Sequence, residues 1–292
     1  TLICALITVA AAAGCGRGDA SAGDGVITVV ATTQQVADFA RVVGGDRVNV
    51  VPLVRANADP HDFEPRPSDA RAVAEADVAL RSGGELDDWL GALLDNAGGD
   101  ADQVTLADSV EQRGDDPHWW QDPRNVVRAT RAIASVFGAA DPEGRATYER
   151  NVARYADEVR ELDGQIASCM NGVDADRRKL VTNHDSFGYF AARYDIDVLG
   201  SIVPALSTSA QPSAGDVRRL VAAIKREDIT TIFPESALDQ RLEKAVARDA
   251  GAEVGEPLYA DSLGPGKNGT YLDALRHDAA LIAASFGAGC AL

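Results

Sequence analysis

Basic residues are scarce in this chain: 28 Lys and Arg stand against 45 Asp and Glu, a net charge of −17. Charge of that sign excludes nucleic acid as a partner and accounts for solubility, with a small added gain in local cation concentration. No apolar run is long enough for a stable membrane span. Leu2 to Ala13, interrupted only by Thr8, would reach only ~20 Å as a helix against a hydrocarbon core of ~30 Å. Neither His-Glu-x-x-His nor a nucleophile elbow occurs, so the hydrolase signatures that are easiest to read are missing. Histidine and cysteine are limited to four each.

The apolar run has the length of a signal-peptide h-region, so export is expected. It ends Ala12-Ala13-Gly14-Cys15, small residues before a cysteine as in a bacterial lipobox, although Ala12 stands where that motif usually has Leu. On this reading residues 1–15 are the signal segment. The Cys15 thiol carries a lipid anchor and holds the protein on the outer face of the bacterial cytoplasmic membrane; ordinary cleavage after an Ala is the alternative. No Met, Lys or Arg precedes the run, so a few residues of a basic n-region are expected ahead of Thr1. Residues 16–25 are Gly, Ala, Ser and Asp with one Arg, a composition suited to a flexible tether. With Cys4 in the signal and Cys15 at its end, Cys169 and Cys290 remain, and an oxidising compartment makes them a disulfide rather than two buried thiols.

Residues 26–292 exceed one typical core, so two lobes are expected. Short β-branched runs alternate with amphipathic segments, the pattern of α/β lobes with largely parallel sheets. Strands are expected at Val26–Ala31, Val48–Val54, Asp77–Arg81 and Gln103–Leu106, then at Lys179–Thr182, Val198–Ile202, Thr230–Phe233 and Glu253–Pro257. Helices are expected at Gln34–Val43, Pro67–Glu75 and Leu86–Asn96, then at Ser186–Tyr194, Ala214–Arg226, Gln240–Asp249 and Tyr271–Phe286. Between the halves, Tyr148, Val152, Tyr155, Val159, Leu162 and Ile166 form a stripe at spacings of three and four. With Asp141 as N-cap, Pro142 in the first turn and a stop at Gly172, this predicts a helix of about 45 Å. Its mid-chain position suits a strut between lobes 26–140 and 173–292; a core helix of one lobe is the alternative.

Three of the four histidines stand in loops between elements. Asp-Pro-His occurs twice, at Asp59-Pro60-His61 and Asp116-Pro117-His118, and Asn183-His184-Asp185 follows a strand. Neutral imidazole is the commonest ligand for divalent transition metals, and proline holds the residue before it extended, which helps present the ring. Ligands in open α/β sheets gather beyond the carboxyl ends of strands. One metal between the lobes would take His61 and His118 from the first and His184 from the second. Asp261, in the loop after the last strand, supplies a fourth, anionic ligand. Glu235 is a candidate to accept the outer N–H of a ligand imidazole. Trp119 and Trp120 beside His118 could roof the site, although neighbours in sequence seldom face one way. Glu64 and Asp122, next to prolines, read as caps. His277 lies off the apolar stripe of the last helix and reads as surface.

Five ordered landmarks carry a resemblance over essentially the whole chain after Cys15. They are Asp59-Pro60-His61-Asp62-Phe63-Glu64-Pro65, Asp116-Pro117-His118-Trp119-Trp120-Gln121-Asp122-Pro123, His184-Asp185-Ser186-Phe187-Gly188-Tyr189-Phe190, Phe233-Pro234-Glu235 and Asp261-Ser262-Leu263-Gly264. Together they resemble the zinc and manganese class of solute-binding lipoproteins that feed ABC transporters. The resemblance implies an α/β fold of two lobes, each a mostly parallel sheet flanked by helices, joined by one long helix, with a metal cleft between them. It also implies His61, His118, His184 and Asp261 as the ligands, and a membrane permease with its ATPase as partners. A monomer is expected.

Members of the class that resemble manganese importers carry Glu at the third ligand position; a third imidazole, His184, moves preference toward zinc. The stretch Ala107–Pro117, where zinc members often have a His-rich loop, is acidic and has no histidine. The expected function is capture of a divalent ion, zinc first and manganese second, for delivery to the permease. The alternatives are a metal-binding adhesin or buffer without transport and, last, a zinc hydrolase with Glu64 or Glu235 as base, which four protein ligands would leave no open position to serve.

Overall fold

The computed structural model describes residues 26–292; the expected signal segment 1–15 with Cys15 and the expected tether 16–25 lie outside the described residues. The first half runs β1 (Ile27–Ala31), α1 (Gln34–Gly44), β2 (Val48–Pro52), α2 (Pro67–Ala74), β3 (Val78–Arg81), α3 (Trp89–Ala97) and β4 (Asp102–Thr105). All pairings are parallel, in the order β2-β1-β3-β4. The side-chain period of two sorts β1 cleanly: Val29 and Ala31 face the main core and Val30 the opposite cluster under α2 and α3.

The chain then enters α4 (Pro123–Ala140), an eighteen-residue helix that the expected alternation leaves out. Asp122 caps it by accepting the Arg124 N–H at 2.9 Å, and Pro123 opens it. The next helix, α5, spans Arg145–Asn171 with Gly144 as its N-cap, so the predicted N-cap at Asp141 is corrected by three residues. Asp141 ends α4 instead, and its carboxylate is committed elsewhere. It takes Arg47 through both oxygens (2.6 and 2.9 Å), the Tyr148 hydroxyl (2.6 Å) and the Gly144 N–H (3.2 Å). A side chain at Gly144 would run into Asp141 and Arg47, so the turn at 141–144 requires glycine there. Helix α5 packs against α4, α1, α6 and α9, the last two belonging to the second half.

That half runs β5 (Lys179–His184), α6 (Gly188–Tyr194), β6 (Asp197–Val203), α7 (Ala214–Arg226), β7 (Thr231–Ile232), α8 (Arg241–Ala250), β8 (Glu253–Val254) and α9 (Tyr271–Ser285). β5 pairs with β6 and β7 with β8, all parallel, and the Phe233 N–H donates to the Val181 carbonyl at 3.1 Å, joining the pairs. The order β6-β5-β7-β8 therefore repeats that of the first half. β7 and β8 are shorter than expected because Pro234 and Pro257 bring no N–H to the ladder; pairing resumes as one bridge, Glu235 with Leu258.

The largest core cluster is shared by the halves, with Val29, Phe39 and Phe137 from the first, Tyr155 and Ile166 from α5, and Phe190, Phe233, Leu258 and Ile282 from the second. Cys169 at the end of α5 is disulfide-bonded to Cys290, with Cα atoms 5.7 Å apart across 121 residues of sequence.

Candidate metal centre

Strand ends supply every side chain of the site. His61 lies in a single 3-10 turn, Pro60–Asp62, after β2; His118 precedes a similar turn, Trp119–Gln121, after β4. His184 is the last residue of β5, and Asp261 follows the Leu258 bridge beyond β8. The two Asp-Pro-His motifs fold alike. Asp59 and Asp116 each accept the backbone N–H of the histidine two residues on, at 2.9 and 3.0 Å, which turns that residue back toward the cleft.

The three imidazoles and the carboxylate converge. His61 Nε2 and His184 Nε2 lie 3.3 and 3.1 Å from Asp261 Oδ2, and His118 Nε2 lies 3.3 Å from Oδ1. His118 Nε2 is 3.4 Å from the Nε2 atoms of both His61 and His184, and all four donor atoms fall within 4.8 Å of one another. His118 and His184 are fully buried and Asp261 almost so. Both Asp261 oxygens are buried without a hydrogen-bond donor, because none of the short imidazole contacts is aligned as one.

The outer ring nitrogens also face carboxylates. His118 Nδ1 lies 2.7 Å from Asp116 Oδ1, which fixes the tautomer that leaves Nε2 a free lone pair toward the centre. His184 Nδ1 is 3.1 Å from Glu235 Oε2, close but not aligned as a hydrogen bond, while Glu235 Oε1 accepts the Asp261 N–H at 3.0 Å. Glu235 thus touches two members of the cluster. Burial pushes its carboxyl up, helped by Asp261 and opposed by His184. Burial alone would do the same to Asp261, but His118 and His184 hold it well below the usual range. For His118 and His184 burial acts downward, and the nearby carboxylates, Asp261 first, outweigh it and raise both.

Two residues that support the site carry no legible signal on their own. Asp116 was visible only as half of a repeated motif, not as the partner of a ring nitrogen. Thr208, in the loop after β6, donates to Asp59 Oδ2 at 2.6 Å and so reaches across from the second half to the His61 loop. Of the tryptophans, Trp120 stands edge-on to His118 at 5.6 Å, whereas Trp119 packs on Phe39. Glu64 is exposed and stands outside the cluster. His277 is half-buried rather than on the surface; its ring rests on Tyr259 at 5.1 Å because the last strand's exit loop folds back over α9.

Residues 29–285 match the family described as zinc-uptake complex component A, periplasmic (ZnuA). The chain belongs to the ZnuA family. It is similar to the manganese-binding lipoprotein MntA of Halalkalibacterium halodurans, 29% identical over 278 residues with 91% of each chain covered. The manganese ABC transporter substrate-binding lipoprotein PsaA of Streptococcus pneumoniae is 27% identical over 281 residues, covering 91% of this chain and 89% of that one. Among solved structures, the periplasmic zinc-binding protein TroA of Treponema pallidum superposes with a TM-score of 0.85 at 25% identity, over 90% of this chain and 99% of that one. A manganese-bound periplasmic metal-binding protein of Candidatus Liberibacter asiaticus gives 0.81 at 25% identity, over 89% and 99%. As a ZnuA-family member the protein is the metal-binding component of an ABC uptake system and not an enzyme, which removes the hydrolase reading.

Proposed function

We propose that the protein captures zinc outside the cytoplasm at His61, His118, His184 and Asp261 and hands it to a membrane permease driven by an ATPase. The observation that carries this reading is the pair of Asp261 oxygens, buried, ionised and without a donor, facing three imidazole nitrogens. A buried carboxylate in that state is costly unless a cation meets it. Four donors at ~2.0 to 2.1 Å from a tetrahedral zinc stand about 3.3 to 3.4 Å apart; five of the contacts here run from 3.1 to 3.4 Å, counting both Asp261 oxygens, and the four donor atoms all lie within 4.8 Å of one another. Glu235 acts on this reading as the acceptor that orients His184. The Cys15 anchor and the tether 16–25 keep a monomeric body, with lobes 26–140 and 173–292 about the helix between them, within reach of the permease.

Manganese is the second reading. It is favoured by relatives named for that metal and by an Asp261 whose two oxygens both face the centre, able to bind through two atoms as a larger, oxygen-preferring ion requires. Metal analysis of protein purified without added ions, followed by zinc and manganese competition, tests both. Zinc retained and preferred supports the assignment. Manganese preferred over zinc defeats it, because the Irving–Williams order runs the other way, and leaves capture standing. No divalent ion bound at all defeats capture.

A further inference from the structure

His118 and Asp261 come from opposite halves of the chain, yet their donor atoms stand 3.3 Å apart. One residue is fastened to both sides of that gap. The Trp120 indole, 1% exposed, stands edge-on to His118, and its Nε1 donates to the Ala260 carbonyl at 2.9 Å, on the peptide that leads into Asp261. Its own carbonyl accepts the Tyr271 hydroxyl at 2.8 Å, from the first turn of α9. Gln121 Nε2 and Gln35 Nε2 approach the same Ala260 oxygen at 3.3 and 3.4 Å. A carbonyl has two lone pairs, so three donors from the first half compete for it and the shortest, from Trp120, dominates. The N–H of that same peptide, contributed by Asp261, is held by Glu235, so both polar groups of the peptide that leads into the ligand are fixed.

We infer that Trp120 is a positioning residue of the metal centre, setting the separation of His118 and Asp261 across the seam between the halves. The inference rests on the capture reading above. Trp120 does not touch the ion; it fixes where the two ligands wait for it, and so acts mainly on how long the ion stays.

Trp119 provides a matched control. It is equally buried and its Nε1 also donates to a carbonyl, but that of Ser82 within the first half, at 3.1 Å. Zinc-loaded wild type, Trp120→Phe and Trp119→Phe are mixed with excess chelator and zinc release is timed, with thermal melting of the metal-free proteins alongside. Both variants should melt lower. Only Trp120→Phe should release zinc faster, by roughly 10- to 100-fold, the usual cost of losing a group that orients a ligand. Should Trp120→Phe fail to fold, Tyr271→Phe loosens the same residue from its carbonyl end and should speed release several-fold. Equal acceleration in both tryptophan variants would mean that general loosening of the core is responsible and would overturn the inference, as would wild-type release from Trp120→Phe or, in its place, Tyr271→Phe. A wild type that takes up no zinc overturns the capture reading and this inference together.

Discussion

At the residue scale, imidazole against carboxylate at position 184 decides metal preference. His184→Glu replaces a neutral nitrogen with an anionic oxygen beside Asp261 and Glu235; zinc affinity should fall 10- to 100-fold and the gap to manganese should narrow. His184→Ala should weaken both metals. Competition titrations with the two ions separate these outcomes, and a variant keeping wild-type zinc affinity would remove His184 from the ligand set. A second residue tests buried charge away from the site. Asp38 accepts the Tyr271 N–H at 2.9 Å, and burial raises its pKa from 3.8 to about 6. Between those values the folded protein holds a proton that the unfolded chain has lost, so this group's contribution to stability grows as pH falls from about 6 and is largest below 3.8. Above about 6 it is ionised in both states and the buried charge costs stability. Asp38→Asn keeps an acceptor for Tyr271 and removes the charge. It should raise stability at pH 7 by about 1 to 3 kcal/mol and flatten the slope between pH 4 and 6, as urea titrations of metal-free protein at each pH would report.

The elements show which parts of the fold can be read from sequence. Helix α7 falls on its expected residues, Ala214–Arg226, because Ser213 and Asp216 form a capping box ahead of an amphipathic run. Helix α4 falls outside the expected alternation although Asp122-Pro123 announces it, because a strict strand–helix alternation leaves no place for two helices in succession. The start of α5 was misplaced for a related reason. Asp-Pro is a good helix opening in isolation, and only a partner 94 residues away, Arg47, makes Asp141 a turn residue instead. Asp141→Ala should therefore lower stability, chiefly by leaving the buried Tyr148 hydroxyl and the 141–144 turn without their acceptor, with zinc affinity unchanged; denaturant midpoints and a zinc titration on the same protein check both halves of that statement. The disulfide belongs to this scale as well. Cys290→Ser frees the segment after α9 from the end of α5, and closing a 121-residue loop contributes up to ~5 kcal/mol in the chain-entropy picture, so the melting temperature should drop while the metal centre stays intact.

For the whole molecule, the strand–helix alternation of two like halves and the gathering of His61, His118, His184 and Asp261 beyond the carboxyl ends of strands followed from residue types and spacing; the strand order did not. The contacts that weld the halves did not. The Ala260 carbonyl has no residue-type signature, Thr208 is one hydroxyl among many, and the main core draws single apolar residues from nearly every element. That core runs without interruption from the first half through α5 into the second. A cleft built over it has little room to open as a hinge, so small-angle scattering should give nearly the same radius of gyration with and without zinc. A large contraction on binding would show that the halves separate despite the shared core.

The continuity of that core bears on energy supply. A receptor that opens by itself can trade the closing of its jaws against the grip on its cargo, and so let the ion go with little outside help. A core that resists hinge opening would leave the scaffold nearly unchanged on loading, with no strained apo state to be recovered on release. The mechanical work of prising His61, His118, His184 and Asp261 apart then falls on whatever the protein docks against, and the ATPase becomes the engine of unloading as well as of passage.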